Sequence, residues 1–218
     1  MTSLNTDVYV IIGSGPSLTE NQVEFIKFQY EHAWTIAVND NYKLAPWADF
    51  VFASDIKWWR FHYNNVCDVV EEYTELRTIE NVVGSLFRKQ AFRIPLKSDF
   101  VFRDVTMLDT NPMSLYHGGC SGILAMELVR TLGQVHRPKK IILVGFDMQH
   151  TGGKSHWFGD HPKGFINATM CERWCKEVES MIPYYKKWDI EVVNCSLETA
   201  IPEHVIRRST LEKELNVR

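Results

Sequence analysis

The stretch "VYVIIGSGPSLTENQVEFIKFQY", residues 8–30, decides the fold class. It joins an apolar, β-branched run at 8–13 to a Gly-x-Gly-Pro-Ser turn, and the turn leads into a helix candidate at 21–30. Further strand candidates of the same apolar kind are residues 35–40, 49–54, 140–147 and 190–194. Apolar strands that alternate with helical segments are typical of a parallel sheet covered on both faces.

Two more helix candidates complete this alternating pattern, at residues 121–133 and 167–188. The apolar residues of 121–133 cover enough of its surface for a nearly buried helix, which Ser121 can cap and Gly133 can end. Residues 56–111 have a mixed, aromatic-rich pattern that predicts no clear element. We predict a Rossmann-like, mostly parallel α/β fold with helices on both faces, formed by residues 1–218 as a single domain.

Composition limits the cellular setting and the partners. The 218 residues suffice for one large α/β domain, and the net charge of -3 without a Lys/Arg run argues against nucleic acid as a partner. The five cysteines show no CxxC pair and indicate reduced thiols. The N-terminus has no basic region before a short apolar run, which indicates neither a signal peptide nor a membrane span. We expect a soluble cytoplasmic protein without a membrane partner, and a homo-oligomer stays open.

The turn after the first strand is a candidate phosphate-binding loop. Its residues are Gly13, Ser14, Gly15, Pro16 and Ser17. A strand that runs through such a turn into a helix presents free backbone N–H groups at the carboxyl edge of the sheet. The turn lacks both the third glycine of the dinucleotide fingerprint and the Gly-Lys-Ser/Thr of the P-loop. The alternative is a tight turn that only ends the strand.

Polar residues also follow the next two strand candidates. Asn39 and Asp40 could hydrogen-bond a ribose or a base, or could form an Asx-turn that only reverses the chain. Asp55 stands where the third strand meets a helix and is a candidate ligand contact. The neighbouring pair Trp58 and Trp59 is more typical of packing than of stacking on a ligand.

The segment "HGGCSGIL", residues 117–124, precedes the buried helix candidate. Ser121 and Gly122 let backbone amides at a helix N-terminus approach an anion closely, which suits a second phosphate or carboxylate contact. The same residues also suit a simple helix cap, and the sequence does not separate the two interpretations.

The loop "HTGGKSHWFGDHP", residues 150–162, is rich in histidine. His150, His156, Asp160 and His161 could bind a metal, but their spacing fits neither an i, i+4 helical pair nor a standard zinc framework. We therefore assign no metal site. As a catalytic lid, the loop supplies histidines for proton transfer and Lys154 for charge neutralisation, with glycines that allow closure. A merely polar surface loop is the alternative.

Taken in order, these segments resemble a known superfamily. The segments are "GSGPSL", "ND", "GGCSGILAMELVRTLG", "KKIILVGFDM", "GGKSHWFGDHP" and a last strand "VVN". They resemble the archaeal 6-hydroxymethylpterin diphosphokinase-like (DUF115-type) proteins, whose superfamily includes a domain of flagellin-modifying glycosyltransferases. The bacterial CMP-sialic-acid sialyltransferases look like more distant members, and compact versions are frequent in phage genomes. The resemblance covers most of the chain and leaves out residues 56–110.

The resemblance implies roles for matching residues. Residues 13–17 match the nucleotide-phosphate loop, Asn39 matches a nucleotide-contacting asparagine, and Asp147 matches the aspartate of a "GxD" strand end. Ser121 and Gly122 match small residues near the donor at the head of the central helix.

The general-base histidine of the sialyltransferases lies in a "Ser-His-Tyr-x-Gly-His" segment. The similar "Ser-His-Trp-Phe-Gly-Asp-His" of this chain has one extra residue, so His161 or His156 matches, whereas the diphosphokinase-like pattern points to His156. The tyrosines that steady the leaving phosphate in sialyltransferases have no secure match. The resemblance therefore leaves the choice of histidine open.

Three functions follow from these residues and the resemblance. The leading one is a sialyltransferase-like glycosyltransferase that uses a CMP- or other nucleotide-sugar with a histidine general base and needs no cofactor. The alternative is a Mg²⁺-dependent diphosphokinase that transfers diphosphate from ATP to a hydroxymethyl, pterin-like alcohol, with Asp147 and Asp55 on the metal side. The third is a non-catalytic nucleotide-binding protein. The partner is a nucleotide-activated small-molecule donor, and we expect residues 56–110 to form the acceptor side for an acceptor that the sequence does not identify.

Overall fold

A computed structural model describes residues 7–70, 75–78, 92–93, 96–97, 115–116, 119–136 and 138–215. The strands within these residues are β1 (Val8–Ile12), β2 (Trp34–Val38), β3 (Phe50–Phe52), β4 (Glu75–Thr78), β5 (Phe92–Arg93), β6 (Leu96–Lys97), β7 (Leu115–Tyr116), β8 (Lys140–Val144), β9 (Glu191–Asn194) and β10 (Arg207–Arg208). The helices are α1 (Glu20–Phe28), α2 (Ile56–Val69), α3 (Ser121–His136), α4 (Cys171–Lys187) and α5 (Leu211–Leu215), with short 3₁₀ turns at Tyr30–His32 and Asn39–Lys43.

Eight of the described strands form one sheet in the order β10-β9-β8-β1-β2-β3-β4-β5, and every neighbouring pair is parallel. Strands β6 and β7 pair with each other in a separate two-stranded sheet. This arrangement confirms the predicted Rossmann-like α/β fold. The chain runs outward from β1 to β5 on one side and from β8 to β10 on the other. The order therefore reverses between β1 and β8, the point at which parallel α/β sheets bind ligands.

Both faces of the central strands are buried. Along β1, Tyr9 and Ile11 pack into a core with residues of α3 and α4, while Val10 and Ile12 pack into a second core with residues of α1 and α2. All four of these side chains are fully buried. Strands that must be apolar on both faces read as continuous apolar runs, which is why the sequence pattern located them.

The five strands that the sequence predicts all occur, whereas two predicted helix ends are wrong. Helix α3 passes Gly133 and ends at His136, since one glycine costs only about 1 kcal/mol in a helix interior. Helix α4 begins at Cys171 and not at Asn167. The Asn167 side chain accepts from the His161 backbone N–H, and the Ala168 carbonyl contacts the His150 ring. These contacts to the histidine loop hold residues 167 and 168 outside the helix.

Helix α2 begins where the sequence placed a junction of strand and helix at Asp55, but its extent was not predicted. Asp55 caps its N-terminus, because a side-chain oxygen accepts a hydrogen bond from the Lys57 backbone N–H at 2.7 Å. Trp58 and Trp59 are buried on its inner face, as packing predicts, and Trp58 also lines the cavity described below. The rest of the predicted acceptor region 56–110 lies largely outside the described residues. Among the described residues, no helix has the length and apolar character needed to cross a bilayer.

Candidate functional site

A cavity of about 380 Å³ opens at the carboxyl ends of β1, β2, β3 and β8. This volume lies within the range of small-molecule sites, and the cavity lies at the reversal point of the strand order. The residues singled out from the sequence that line it are Gly13, Ser14, Gly15, Pro16, Asn39, Asp55, Ser121, Gly122, Asp147, His156 and His161. The fold thus brings together at one site residues from five separate segments of the chain.

The Gly-rich turn after β1 uses most of its backbone N–H groups within the protein. Gly13 donates to the Val144 carbonyl at 2.7 Å, and Gly15 donates to the Gly145 carbonyl at 2.8 Å. The Ser17 N–H donates to an Asp147 carboxylate oxygen at 2.9 Å. These three N–H groups already have acceptors within the protein, so a phosphate at the turn would meet the Ser14 amide without displacing a hydrogen bond. Of the non-proline amides in residues 13–17, Ser14 alone donates to no described residue.

The two glycines of the turn allow it to approach the end of β8 closely. A Cβ at Gly13 would lie 2.6 Å from the Gly145 carbonyl oxygen, and one at Gly15 would overlap the Asp147 carboxylate. Any side chain at either position would separate the ends of β1 and β8. The glycines therefore serve the junction between these strands.

Asp147 is the acceptor that ties the turn after β8 to its surroundings. Its carboxylate accepts from the Ser17 N–H, from the Ser17 hydroxyl at 2.8 Å and from the Thr151 hydroxyl at 2.8 Å. Burial raises the pKa of Asp147 against these hydrogen bonds, which act to lower it. Ser17 does not itself line the cavity.

The two carboxylates that the diphosphokinase hypothesis assigns to Mg²⁺ have other partners. Both oxygens of Asp147 accept hydrogen bonds from the protein, and Asp55 caps α2. Among the described residues, no cluster of three His, Cys, Asp or Glu side chains could hold a metal ion. The observed contacts do not fit a Mg²⁺ shared by these two aspartates.

Asn39 and Asp40 follow β2 but face different surroundings. Asn39 lines the cavity with a left-handed backbone conformation, φ 53°. Asp40 is buried away from the cavity lining, where it accepts from the Trp58 indole at 2.7 Å and pairs with Lys43 at 2.6 Å. Burial acts to raise the pKa of Asp40, but the bonds from Lys43 and Trp58 outweigh it and hold the pKa below its usual value. Asp40 thus anchors the turn to α2.

The start of α3 forms another wall. The Ser121 hydroxyl lies 2.7 Å from the Ser54 hydroxyl and accepts from the Ser54 N–H at 3.3 Å, so it joins α3 to the end of β3. A Cβ at Gly122 would lie 3.3 Å from the Phe146 ring, so the helix packs tightly against the β8 turn. Burial raises the pKa of Cys120 to about 12, so this thiol stays protonated. His117 and Gly118 of the predicted segment lie outside the described residues.

His156 and His161 lie side by side at the cavity, with ring centroids 4.5 Å apart. The His156 ring stacks on Phe158 with a centroid distance of 4.9 Å, and its Nδ1 lies 3.2 Å from the Gly159 carbonyl oxygen. A carbonyl can only accept, so Nδ1 carries the hydrogen and Nε2 has a free lone pair. Nδ1 of His161 is buried and has no partner among the described residues.

Both rings are neutral near pH 7. Burial, reinforced by the neighbouring His161, lowers the pKa of His156 to about 4. Burial also lowers the pKa of His161. At this distance a positive charge on one ring disfavours protonation of the other, so the two rings titrate as a coupled pair.

Three other candidate residues of the histidine loop, His150, Lys154 and Asp160, do not line the cavity. Lys154 is exposed and does not line it. His150 contacts the Ala168 carbonyl at 2.7 Å, and Asp160 accepts from the Ser155 hydroxyl at 3.1 Å. These side chains and the two cavity histidines therefore do not converge on one point.

Two contributions to the site were missed from the sequence. Lys57 lines the cavity, and its ammonium donates to the Gly164 carbonyl at 2.9 Å. Its position one residue inside a helix that follows a strand end was the available signal. Residues 164–171 form the wall opposite the Gly-rich turn, and Trp174 extends that wall from α4. Their irregular sequence carries no comparable signal.

Comparison with known proteins shows that a solved structure shares this fold. No protein-family model and no curated protein matches the chain. A matching solved structure is that of the MAf glycosyltransferase from Magnetospirillum magneticum AMB-1, with a TM-score of 0.60 and 15% sequence identity. The chain shares this glycosyltransferase's fold. The match covers 97% of this chain and 34% of that protein, so the chain spans about a third of the length of its neighbour.

Proposed function

We propose that this chain is a transferase that moves a sugar from a nucleotide-activated donor to an acceptor hydroxyl. The observation that carries the proposal is the pair of neutral histidines, His156 and His161, in one cavity with Asn39 and the Gly-rich turn at the reversal point of the sheet. The fold shared with a glycosyltransferase supports the same reaction class.

The charges around the cavity favour a donor with little negative charge. Among the described lining residues, Lys57 is the one Lys or Arg side chain, and Asp55 and Asp147 contribute carboxylates. Transfer from ATP requires metal ions and cations that bridge several phosphates, and the contacts of the two aspartates do not fit such a metal. A nucleoside monophosphate linked to a sugar carries a single phosphodiester charge and suits this lining better.

We propose a separate role for each histidine, which the geometry of the pair supports. His156 Nε2 accepts the proton of the acceptor hydroxyl while the hydroxyl oxygen attacks the anomeric carbon of the donor. The bond between that carbon and the phosphate oxygen breaks, and the nucleotide leaves with the bonding electrons as a phosphate. His161 beside it lowers the pKa of His156 and so keeps the acceptor site neutral before reaction. The negative charge of a bound donor raises that pKa towards the working pH.

Nucleotide release from a panel of CMP-, UDP- and GDP-sugars tests the proposal, with and without EDTA. We expect release from one donor class, unaffected by EDTA, and a loss of about 10²–10⁴-fold in His156→Ala, with a smaller loss in His161→Ala. His204→Ala is the control, because His204 is exposed and does not line the cavity. Donor binding in a thermal-shift screen without any turnover would contradict the transferase and support a non-catalytic nucleotide-binding protein. Turnover of ATP that EDTA abolishes would support the diphosphokinase.

A further inference from the structure

The fully buried side-chain amide of Asn41 connects the Gly-rich turn after β1 to the histidine loop. The Asn41 Nδ2 donates to the Ile12 carbonyl at 2.6 Å and to the Ser14 hydroxyl at 3.2 Å. The Asn41 Oδ1 accepts from the Trp157 indole Nε1 at 2.7 Å. One side chain therefore connects the end of β1, the Gly-rich turn and the loop that carries both histidines.

Trp157 makes a second connection to the same turn. Its backbone N–H donates to the Ser14 carbonyl at 3.2 Å. The next residue on one side is His156, and the next on the other is Phe158, on which the His156 ring stacks. Consecutive Cα atoms lie about 3.8 Å apart, so anchoring Trp157 also fixes the backbone that bears His156. The position of His156 relative to Ser14 is thus set by these two hydrogen bonds.

The Asn41 site requires an amide. Both hydrogens of the Asn41 NH₂ group and its carbonyl oxygen are engaged, and the residue is 0% exposed. A carboxylate could not donate to the Ile12 carbonyl, and a hydroxyl has too few donors. A buried polar network in which every group is satisfied specifies one geometry, whereas a partly satisfied one is costly.

We propose that Asn41 and Trp157 are positioning residues for the transfer reaction: they hold His156 at a fixed distance from the Gly-rich turn without contacting substrate. Neither residue lines the cavity. This inference rests on the proposed function for its catalytic meaning. The geometric part, that these two residues fix the His156 ring, can be tested independently of turnover.

The test compares Trp157→Phe with Trp59→Phe. Both variants delete one indole N–H bond, since Trp59 Nε1 donates to the Ala53 carbonyl at 2.9 Å, and Trp59 belongs to α2 outside the cavity lining. NMR titration of the histidine Cε1–H signals is the readout. In Trp157→Phe we expect the pKa of His156 to rise by about one unit or more towards the free value near 6.5, and in Trp59→Phe we expect no change. An unchanged His156 titration in a folded Trp157→Phe would overturn the inference.

Hydrogen exchange of the wild-type indole N–H groups tests the same geometry without any substitution. We expect the Trp157 indole N–H to exchange as slowly as that of Trp59, because both donate to protein acceptors. Rapid exchange of the Trp157 signal alone would overturn the inference even if Trp157→Phe failed to fold.

Steady-state kinetics of the variants test whether this positioning matters for the transfer reaction. In Trp157→Phe and in Asn41→Asp we expect kcat to fall about tenfold or more with a donor KM within roughly threefold of wild type, because misplacement affects the transition state more than donor binding. A rise in KM with unchanged kcat would contradict a positioning role. If the wild-type chain turns over no donor, the proposed function fails, while the titration and exchange results still decide the geometric part.

Discussion

Replacing Gly15 with alanine tests whether the Gly-rich turn exists to bring the ends of β1 and β8 together. The added Cβ would lie 2.6 Å from the Gly145 carbonyl oxygen and would overlap the Asp147 carboxylate. Carbon and oxygen atoms in contact lie roughly 3.3–3.6 Å apart, so the two turns must separate by about 0.7–1 Å. That shift would stretch the Gly15 to Gly145 hydrogen bond, now 2.8 Å, and the Ser17 to Asp147 bond, now 2.9 Å.

The expected loss of stability follows from these two effects. Overpacking in a well-packed region costs about 1–3 kcal/mol. Weakening two hydrogen bonds, one of them to a carboxylate, adds about 1–2 kcal/mol. We therefore expect Gly15→Ala to lower the free energy of unfolding by about 3 kcal/mol, which corresponds to a fall in Tm of about 6–12 °C for a chain of this size.

Urea unfolding followed by circular dichroism measures this loss, with Gly153→Ala as the control. Gly153 has φ +74° and open space around the added Cβ, so only backbone strain of about 1 kcal/mol applies there. A Gly15→Ala variant as stable as wild type would refute the close-approach argument. Unchanged stability together with weakened nucleotide binding would instead show that the turn serves the ligand directly.

Two further predictions concern titration and the carboxylate of Asp147. Folding lowers the pKa of His156 to about 4, so between pH 6.5 and 4 the unfolded chain binds more protons than the folded chain. The free energy of unfolding therefore decreases as the pH is lowered through that window. Between pH 7 and pH 5 the contribution of His156 to this loss is about 1 kcal/mol after allowance for partial solvent screening. His156→Gln should reduce the pH dependence of urea unfolding by that amount and leave the contribution of His161 in place. Asp147→Ala should cost about 3 kcal/mol in urea unfolding because the Ser17 and Thr151 donors lose their acceptor, whereas Asp147→Asn, which keeps the shape, should lose about 1 kcal/mol. An Asp147→Asn variant as unstable as Asp147→Ala would contradict this structural role.

The sequence predicted the fold well because the strands carry their own signal. A strand buried on both faces must be apolar throughout, and the runs that became β1 and β8 show this plainly. The sequence marked the start of helix α2 at Asp55 but not its extent. Its buried positions follow helical spacing, but the stripe is mainly aromatic and includes a histidine, so it was not assigned; the buried residues are Trp58, Trp59, His62, Tyr63 and Val66. Its inner face contains His62, which is buried through contacts with Tyr42 and Asp40 that only the fold creates.

The sequence predicted which strand ends border the cavity but not the contacts of the individual side chains. Strand ends of a parallel sheet meet at one edge, so the candidate residues after β1, β2, β3 and β8 were bound to come together. The direction of each side chain depends on partners distant in sequence. Asp40 turns towards Trp58, and Ser17 turns towards Asp147, which lies 130 positions further along the chain. Spacing along one segment carries no information about such contacts.

In the histidine loop, contacts with residues distant in sequence change the interpretation of the mechanism. Its glycines suggested a lid that closes over the substrate, but three hydrogen bonds hold the loop and the residues that follow it. Trp157 donates to Asn41 at 2.7 Å, the His161 N–H donates to Asn167 at 2.8 Å, and Lys57 donates to the Gly164 carbonyl at 2.9 Å. Opening residues 150–162 would break the bond from Trp157 to the fully buried Asn41 and strain the bond from His161 to Asn167, and the loss of partly or fully buried hydrogen bonds is costly. For the proposed reaction, His156 as the proton acceptor would thus be held in position before the substrate binds, so we expect a preorganised site.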